Sequence, residues 1–167
     1  MMGMSMRCLV IDDDESPRLL MTALLKRTGH LARAVANGVV ALAMLEADTF
    51  DIAIVDMELP GPDGAATIAE LRKKQPALKI LVVSGHDDRG HVLAALEAGA
   101  DGYLLKDDTS ELLATALGDI EAGFTVLSPR IHASEVRQLL RALGRPVVEA
   151  RVEPRSRGDS VPGENPG

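Results

Sequence analysis

The sequence predicts an α/β domain on a doubly wound, five-stranded parallel sheet, and three observations predict it. Five short apolar runs, at residues 7–11, 31–35, 52–55, 80–83 and 102–105, alternate with five segments whose apolar residues recur at helical spacing. The connections are only a few residues long, and right-handed crossovers then demand parallel strands with helices on both faces. The apolar runs also end abruptly in polar residues, most sharply in FDIAIVDMELPGPDG at 50–64, where IAIV stops at Asp56 before a Pro/Gly break. Ligands of open α/β sheets sit beyond the carboxyl ends of the strands, so Asp56 is the candidate reactive residue.

The elements follow in order. RCLVI at 7–11 is the first strand and runs into Asp12-Asp13-Asp14-Glu15. Ser16-Pro17 opens a helix, Ser16 as N-cap and Pro17 at the first helical position, with Leu20, Met21, Leu24 and Leu25 in register. A weak strand at 31–35 precedes Asn37-Gly38 and a helix over 39–46 that carries Ala41, Leu42 and Leu45. After the strand ending at Asp56 and its Pro/Gly loop, residues 65–74 are helical. Ile68 and Leu71 point inward, and Arg72, Lys73 and Lys74 suit the negative end of the helix dipole. ILVV at 80–83 ends in Ser84, and a helix over 90–98 carries Val92, Leu93 and Leu96. GYLL at 102–105 ends in Lys106, and Thr109-Ser110-Glu111 starts a fifth helix with Leu113, Leu117 and Ile120, stopped at Gly123.

Residues 124–144 read as a linker with an amphipathic helix, capped by Ser128-Pro129, whose stripe is Val136, Leu139, Leu140 and Leu143. That stripe serves either a homodimer or partner contact, or packing back on the domain. Residues 145–167 contain no aromatic and much Pro and Gly, which predicts a disordered tail, and residues 1–6 a disordered N-terminus.

Composition narrows the function classes. A net charge of −7, with no Lys/Arg run, argues against direct nucleic-acid binding by this chain. No apolar run approaches membrane-spanning length and no signal pattern opens the chain, so a cytoplasmic protein with no membrane contact is expected. The lone Cys8 excludes an intrachain disulfide and reads as a small buried hydrophobe. Aromatics are only 2% of residues, so the core rests on Leu, Val, Ile, Ala and Met.

The strand ends deliver Asp12 and Asp13, Asp56, Ser84 and Lys106 to one edge. Two carboxylates about 4 Å apart repel by roughly 4 kcal/mol at an effective dielectric near 20, and a hard divalent cation such as Mg²⁺ relieves this. A carboxylate beside Mg²⁺ can act as nucleophile toward a phosphoryl group, with a Lys neutralising charge on the transferred oxygens. No His lies at a strand end, so no Ser/His/Asp triad forms. His30, His86, His91 and His132 show no metal-ligand spacing and read as surface residues.

Taken together, LVIDDDE, IVDMELPGPDG, ILVVSG and GADGYLLKD resemble the receiver domain of two-component response regulators, over residues 7–122. The resemblance implies a flavodoxin/CheY-like strand order of 2-1-3-4-5. It implies phosphorylation of Asp56 by a histidine kinase, a phosphotransfer protein or a small acyl phosphate. Asp13, Asp56 and the main-chain carbonyl of Glu58 would bind Mg²⁺, with Asp12 acting through water. Ser84 and Lys106 would contact the phosphoryl group, and Ser84 and Tyr103 would form the switch toward a downstream protein partner. Glu58 and His86, two residues beyond Asp56 and Ser84, take positions that tune phosphoryl lifetime in that family. Such a protein is a phosphoacceptor that assists its own phosphorylation and dephosphorylation, not an enzyme acting on a separate substrate.

Two features depart from the common pattern. Asp107 follows Lys106 where many receivers carry a cis proline. The GYLLKD segment and the AGFTVLSP that follows are similar to the NarL/FixJ subfamily, yet no helix-turn-helix pattern follows Leu143. One alternative is therefore the receiver part of a NarL/FixJ-type transcription regulator whose DNA-binding domain is absent from this chain. Another is a phosphohydrolase of the haloacid-dehalogenase type. Asp12-x-Asp14, Ser84 and Lys106 fit its motif order, but no late acidic pair or cap domain is evident and Asp56 would be left unexplained.

Overall fold

A computed structural model describes residues 5–57, 64–131 and 134–152. The strands are β1 (Arg7–Ile11), β2 (Leu31–Val35), β3 (Ile52–Asp56), β4 (Lys79–Ser84), β5 (Gly102–Leu105), β6 (Thr125–Leu127) and β7 (Val147–Glu149). The helices are α1 (Glu15–Arg27), α2 (Gly38–Ala47), α3 (Gly64–Lys74), α4 (Arg89–Ala98), α5 (Thr109–Glu121) and α6 (Ser134–Ala142). All strands pair in parallel in the order β2-β1-β3-β4-β5-β6-β7.

The expected 2-1-3-4-5 arrangement is therefore present, but among the described residues the sheet has seven strands rather than five. β1, β3, β4 and β5 are apolar on both faces because helices cover both. Leu9, Val55, Ile80, Val82 and Tyr103 pack with α2, α3, α4 and α6, whereas Val10, Ile54, Leu81 and Leu104 pack with α1 and α5. β2 is an edge strand in which only Val35 is buried, which explains its weak sequence signal.

Several expectations are corrected past residue 123. The segment 124–144 is not a linker, because β6 hydrogen-bonds to β5 and extends the sheet. Ser128 does not cap a helix; its hydroxyl accepts the Leu105 N–H at 2.8 Å, and α6 begins at Ser134. Val136 and Leu140 are buried against the domain and Leu139 is half-buried, so that part of the apolar stripe packs internally, whereas Leu143 is exposed. Residues 145–150 are not tail. Ala150 is buried and donates to the Leu127 carbonyl at 2.8 Å, while Arg145 donates to the Ala100 carbonyl at 2.6 Å and to Thr125 Oγ1 at 3.1 Å. The remainder of the expected tail, 153–167, lies outside the described residues, as do residues 1–4. Met6, placed in the expected disordered N-terminus, is buried and donates its N–H to His30 Nδ1 at 3.0 Å.

The helix starts follow local chemistry. Asn37 accepts the Val40 N–H and Asp88 the His91 N–H, so each side chain satisfies a donor the helix leaves unpaired. α1 begins one residue before the expected Ser16 cap, with Asp14 at the cap position and Pro17 inside the first turn, where no N–H is required.

Candidate functional site

Three strand ends converge on Asp56. It is the last residue of β3, opposite Val83 of β4, and is only 5% exposed. Asp12 follows β1 and is 8% exposed; its Oδ1 accepts the Asp14 N–H at 3.0 Å, and its own carbonyl accepts from Arg18 at 2.9 Å. Asp13 beside it is exposed. Asp12, Asp13 and Asp56 each offer a carboxylate oxygen within 4.8 Å of the others. Lys106, just beyond β5, brings Nζ to 3.8 Å from Asp56 Oδ1. One ammonium thus faces three carboxylates, and the remaining repulsion suits a hard divalent cation held by oxygen ligands.

Ser84 ends β4, fully buried, in register with Leu105, the residue before Lys106. Its Oγ accepts the His86 N–H at 3.1 Å. Tyr103 is buried, and its hydroxyl donates to the His86 carbonyl at 2.7 Å. Both expected switch residues therefore hold the same residue of the β4–α4 loop. Glu58 lies outside the described residues. At Gly64, the first residue of α3, a Cβ would stand 2.5 Å from the Met57 carbonyl oxygen, so only glycine lets the start of α3 approach the end of β3 so closely.

The loop after β5 is built without a cis peptide, as all peptide bonds among the described residues are trans. Lys106–Asp108 forms a 3-10 turn leading directly into α5, and Arg130 lies 3.2 Å from Asp108. A cavity of about 340 Å³ between α1 and α5 opens on Asp56, with Pro17, Leu20, Met21 and Val83 among its walls. The histidines follow their sequence-based reading only in part: His86 is exposed, as expected, but groups with His91 and Asp88 in a way that spacing did not suggest. His30 is half-buried as an acceptor, whereas His86 and His91 stack with Asp88 beside them; His132 lies outside the described residues.

No helix among the described residues is long and apolar enough to cross a membrane. Residues 8–117 match the family described as response regulator receiver domain. The probable transcriptional regulatory protein NarL of Mycobacterium tuberculosis (strain H37Rv) is 36% identical over 118 residues, covering 69% of this chain and 54% of the relative. Response regulator MprA of Mycobacterium ulcerans is 36% identical over 132 residues, covering 74% and 57%. The chain thus spans about half the length of the curated relatives it matches. Among solved structures, a LuxR-family two-component response regulator from Aurantimonas sp. SI85-9A1 superposes with a TM-score of 0.70 at 31% identity, covering 81% of this chain and 98% of that one. TrrA of Thermotoga maritima, solved in complex with Mg²⁺-BeF, gives 0.63 at 29% identity over 70% of this chain and 99% of its own. With this fold, this acidic edge and these relatives, the chain belongs to the response regulator receiver domain family.

Proposed function

We propose that Asp56 accepts a phosphoryl group from a histidine kinase, a phosphotransfer protein or a small acyl phosphate, and that its phosphorylation switches a protein-interaction face. The observation that carries this reading is the buried Asp56 carboxylate, with Lys106 at 3.8 Å and two further carboxylates within a metal's reach. An Asp56 oxygen attacks phosphorus, the bond to the donor's nitrogen or oxygen breaks, and its electron pair leaves with the donor. Asp12, Asp13, Asp56 and the main-chain carbonyl of Glu58 would hold Mg²⁺, Asp12 through water. When bound, the ion supplies positive charge to the phosphoryl oxygens. Lys106 adds a second positive charge at the same oxygens. Mg²⁺-BeF in the TrrA structure supports this assignment.

The product carries about −1.5 to −2 charge and three acceptor oxygens. Ser84 supplies a hydroxyl proton to donate to them, since its oxygen is only the acceptor of the His86 N–H. Tyr103 donates to the carbonyl of the same residue, so both side chains bear on the His86 backbone. Each tenfold change in active fraction requires about 1.4 kcal/mol of differential interaction. Glu58 and His86 are the residues that would tune phosphoryl lifetime.

Incubation with radiolabelled acetyl phosphate and Mg²⁺ tests the assignment. Wild-type protein is expected to take up label and Asp56→Ala none; full labelling of that variant would overturn it. Loss of label on replacing Asp12, with Asp56 dispensable, would instead favour the haloacid-dehalogenase chemistry. The relatives' regulator names and greater length support a second reading, in which the output is transcriptional through a domain outside this chain.

A further inference from the structure

His86, Asp88 and His91 form a second ligand cluster, separate from the acidic edge. Each offers a ligand atom within 4.8 Å of the others. The spacing is unlike a helical i, i+4 pair, and the local fold explains why the residues meet. Asp88 caps α4 by accepting the His91 N–H at 3.2 Å, which brings its carboxylate against the His91 side chain three positions on. His91 Nδ1 lies 2.8 Å from both Asp88 oxygens. The loop from Ser84 then turns so that the His86 ring stacks on His91, with centroids 4.1 Å apart and planes at 7°.

We infer that these three side chains bind a divalent transition metal of the Zn²⁺ class. Two imidazoles and one carboxylate, with water in the fourth position, are a ligand set suited to Zn²⁺ and poorly suited to Mg²⁺ or Ca²⁺. Bonds of about 2.0–2.1 Å in a tetrahedral site separate neighbouring ligand atoms by roughly 3.4 Å. The rings now lie in parallel planes, so a shared ion requires the His86 ring to turn out of the stack, with the ion taking the place between Asp88 and His91 Nδ1. His91 and Asp88 side chains are 42% and 55% exposed, and His86 is exposed, so an entry path is open. The positive end of the α4 dipole opposes a cation; the Asp88 carboxylate, with exposed Asp87 beside it, offsets that field. Occupancy would fix the ring of His86, the residue whose N–H Ser84 accepts and whose carbonyl Tyr103 binds.

Calorimetric titration of the full chain with Zn²⁺, in millimolar Mg²⁺ to saturate the acidic edge, tests the site, with Co²⁺ absorption as a coordination probe. The expected result is one equivalent bound in the presence of Mg²⁺, with Co²⁺ bands that Zn²⁺ abolishes. Outer-shell partners alone are worth roughly 10–100-fold in metal affinity, so removing a ligand in His91→Ala or His91→Gln is expected to weaken binding by at least about a hundredfold. Two different replacements separate ligand loss from a local packing defect. Absence of binding in the wild type would overturn the assignment. So would displacement by Mg²⁺, which would locate the ion at Asp12, Asp13 and Asp56, or unchanged affinity in both His91 variants.

Discussion

At the amino edge of the sheet, half-buried charged groups are matched by fixed partners; at the carboxyl edge, three carboxylates cluster beside Lys106. Arg72 donates to the carbonyls of Pro76, Leu78 and Gly99 and to Asp101, tying the end of α3 to the starts of β4 and β5. Asp101 also accepts the Ile80 N–H at 2.9 Å, and Arg145 reaches the same corner through the Ala100 carbonyl. Asp56 lies 3.8 Å from Lys106, with Asp12 and Asp13 nearby. One edge pairs its charges and serves stability, while the other clusters carboxylates whose mutual repulsion a cation would relieve.

The largest expected effect that separates the edges is at Arg72. Removing a half-buried guanidinium that serves three carbonyls and a carboxylate is expected to lower unfolding free energy by about 3 kcal/mol, read as the urea midpoint of Arg72→Ala. Acetyl phosphate labelling of Asp56 in the folded variant is expected to stay within about twofold of wild type. A loss below about 1 kcal/mol, or loss of labelling in folded protein, would erase the contrast.

Gly64→Ala tests the carboxyl edge through backbone alone. The added Cβ meets main-chain atoms of Met57 at 2.5 to 2.8 Å, so the chain returning toward β3 has to shift. Overpacking of this kind costs about 1–3 kcal/mol. Because the displaced segment adjoins Asp56, labelling is expected to fall together with stability, unlike the outcome at Arg72. Preserved labelling would show that the site tolerates displacement of Gly64 from Met57.

The same contrast governs what the sequence made legible. Asp56, Ser84 and Lys106 were found because each stands at the end of a buried apolar run, where polarity changes within one residue. The amino-edge network was invisible, since Arg72 and Arg145 look like ordinary helix-end and loop cations until the crossovers bring them to Asp101. β6 and β7 were missed for a different reason. A three-residue strand places only one or two side chains on each face, too few to establish a period, and Ser128-Pro129 imitates a helix start. The His86–His91 pair escaped because its proximity comes from the Asp88 cap rather than from helical spacing.

Asp13→Asn is a smaller test with opposite signs for stability and activity. Neutralising one of three clustered carboxylates is expected to raise unfolding free energy by about 1 kcal/mol in Mg²⁺-free buffer, while Mg²⁺-dependent labelling drops by more than about tenfold. The paired urea and labelling measurements would contradict a strained, metal-binding edge if the variant were less stable than wild type without Mg²⁺. A comparable neutralisation at the amino edge, Asp101→Asn, is expected to destabilise, because Arg72 and the Ile80 N–H lose a charged acceptor.

Cys8 gives the smallest effect at neutral pH. Its side chain is wholly buried in β1, and burial, with a lesser contribution from the Asp51 carboxylate, pushes the thiol up to about 12. In the unfolded chain an ordinary thiol ionises near 8.5. Below that value the thiol is protonated in both states and contributes no pH dependence. Between roughly 8.5 and 12 the unfolded chain releases the proton while the folded one keeps it, so this contribution to stability declines as pH rises. The readout is the difference between wild type and Cys8→Ala, which isolates the thiol. The wild-type advantage in unfolding free energy, set near neutrality by the sulfur's packing, is expected to shrink by up to about 1.4 kcal/mol per pH unit above 9. Parallel curves from pH 8 to 10 would mean that the thiol ionises without restraint in the fold. Alkylation gives an independent check, because a thiol held neutral and buried reacts with iodoacetamide only through opening of β1, at a rate that should rise with urea well before the global midpoint only if that edge frays separately.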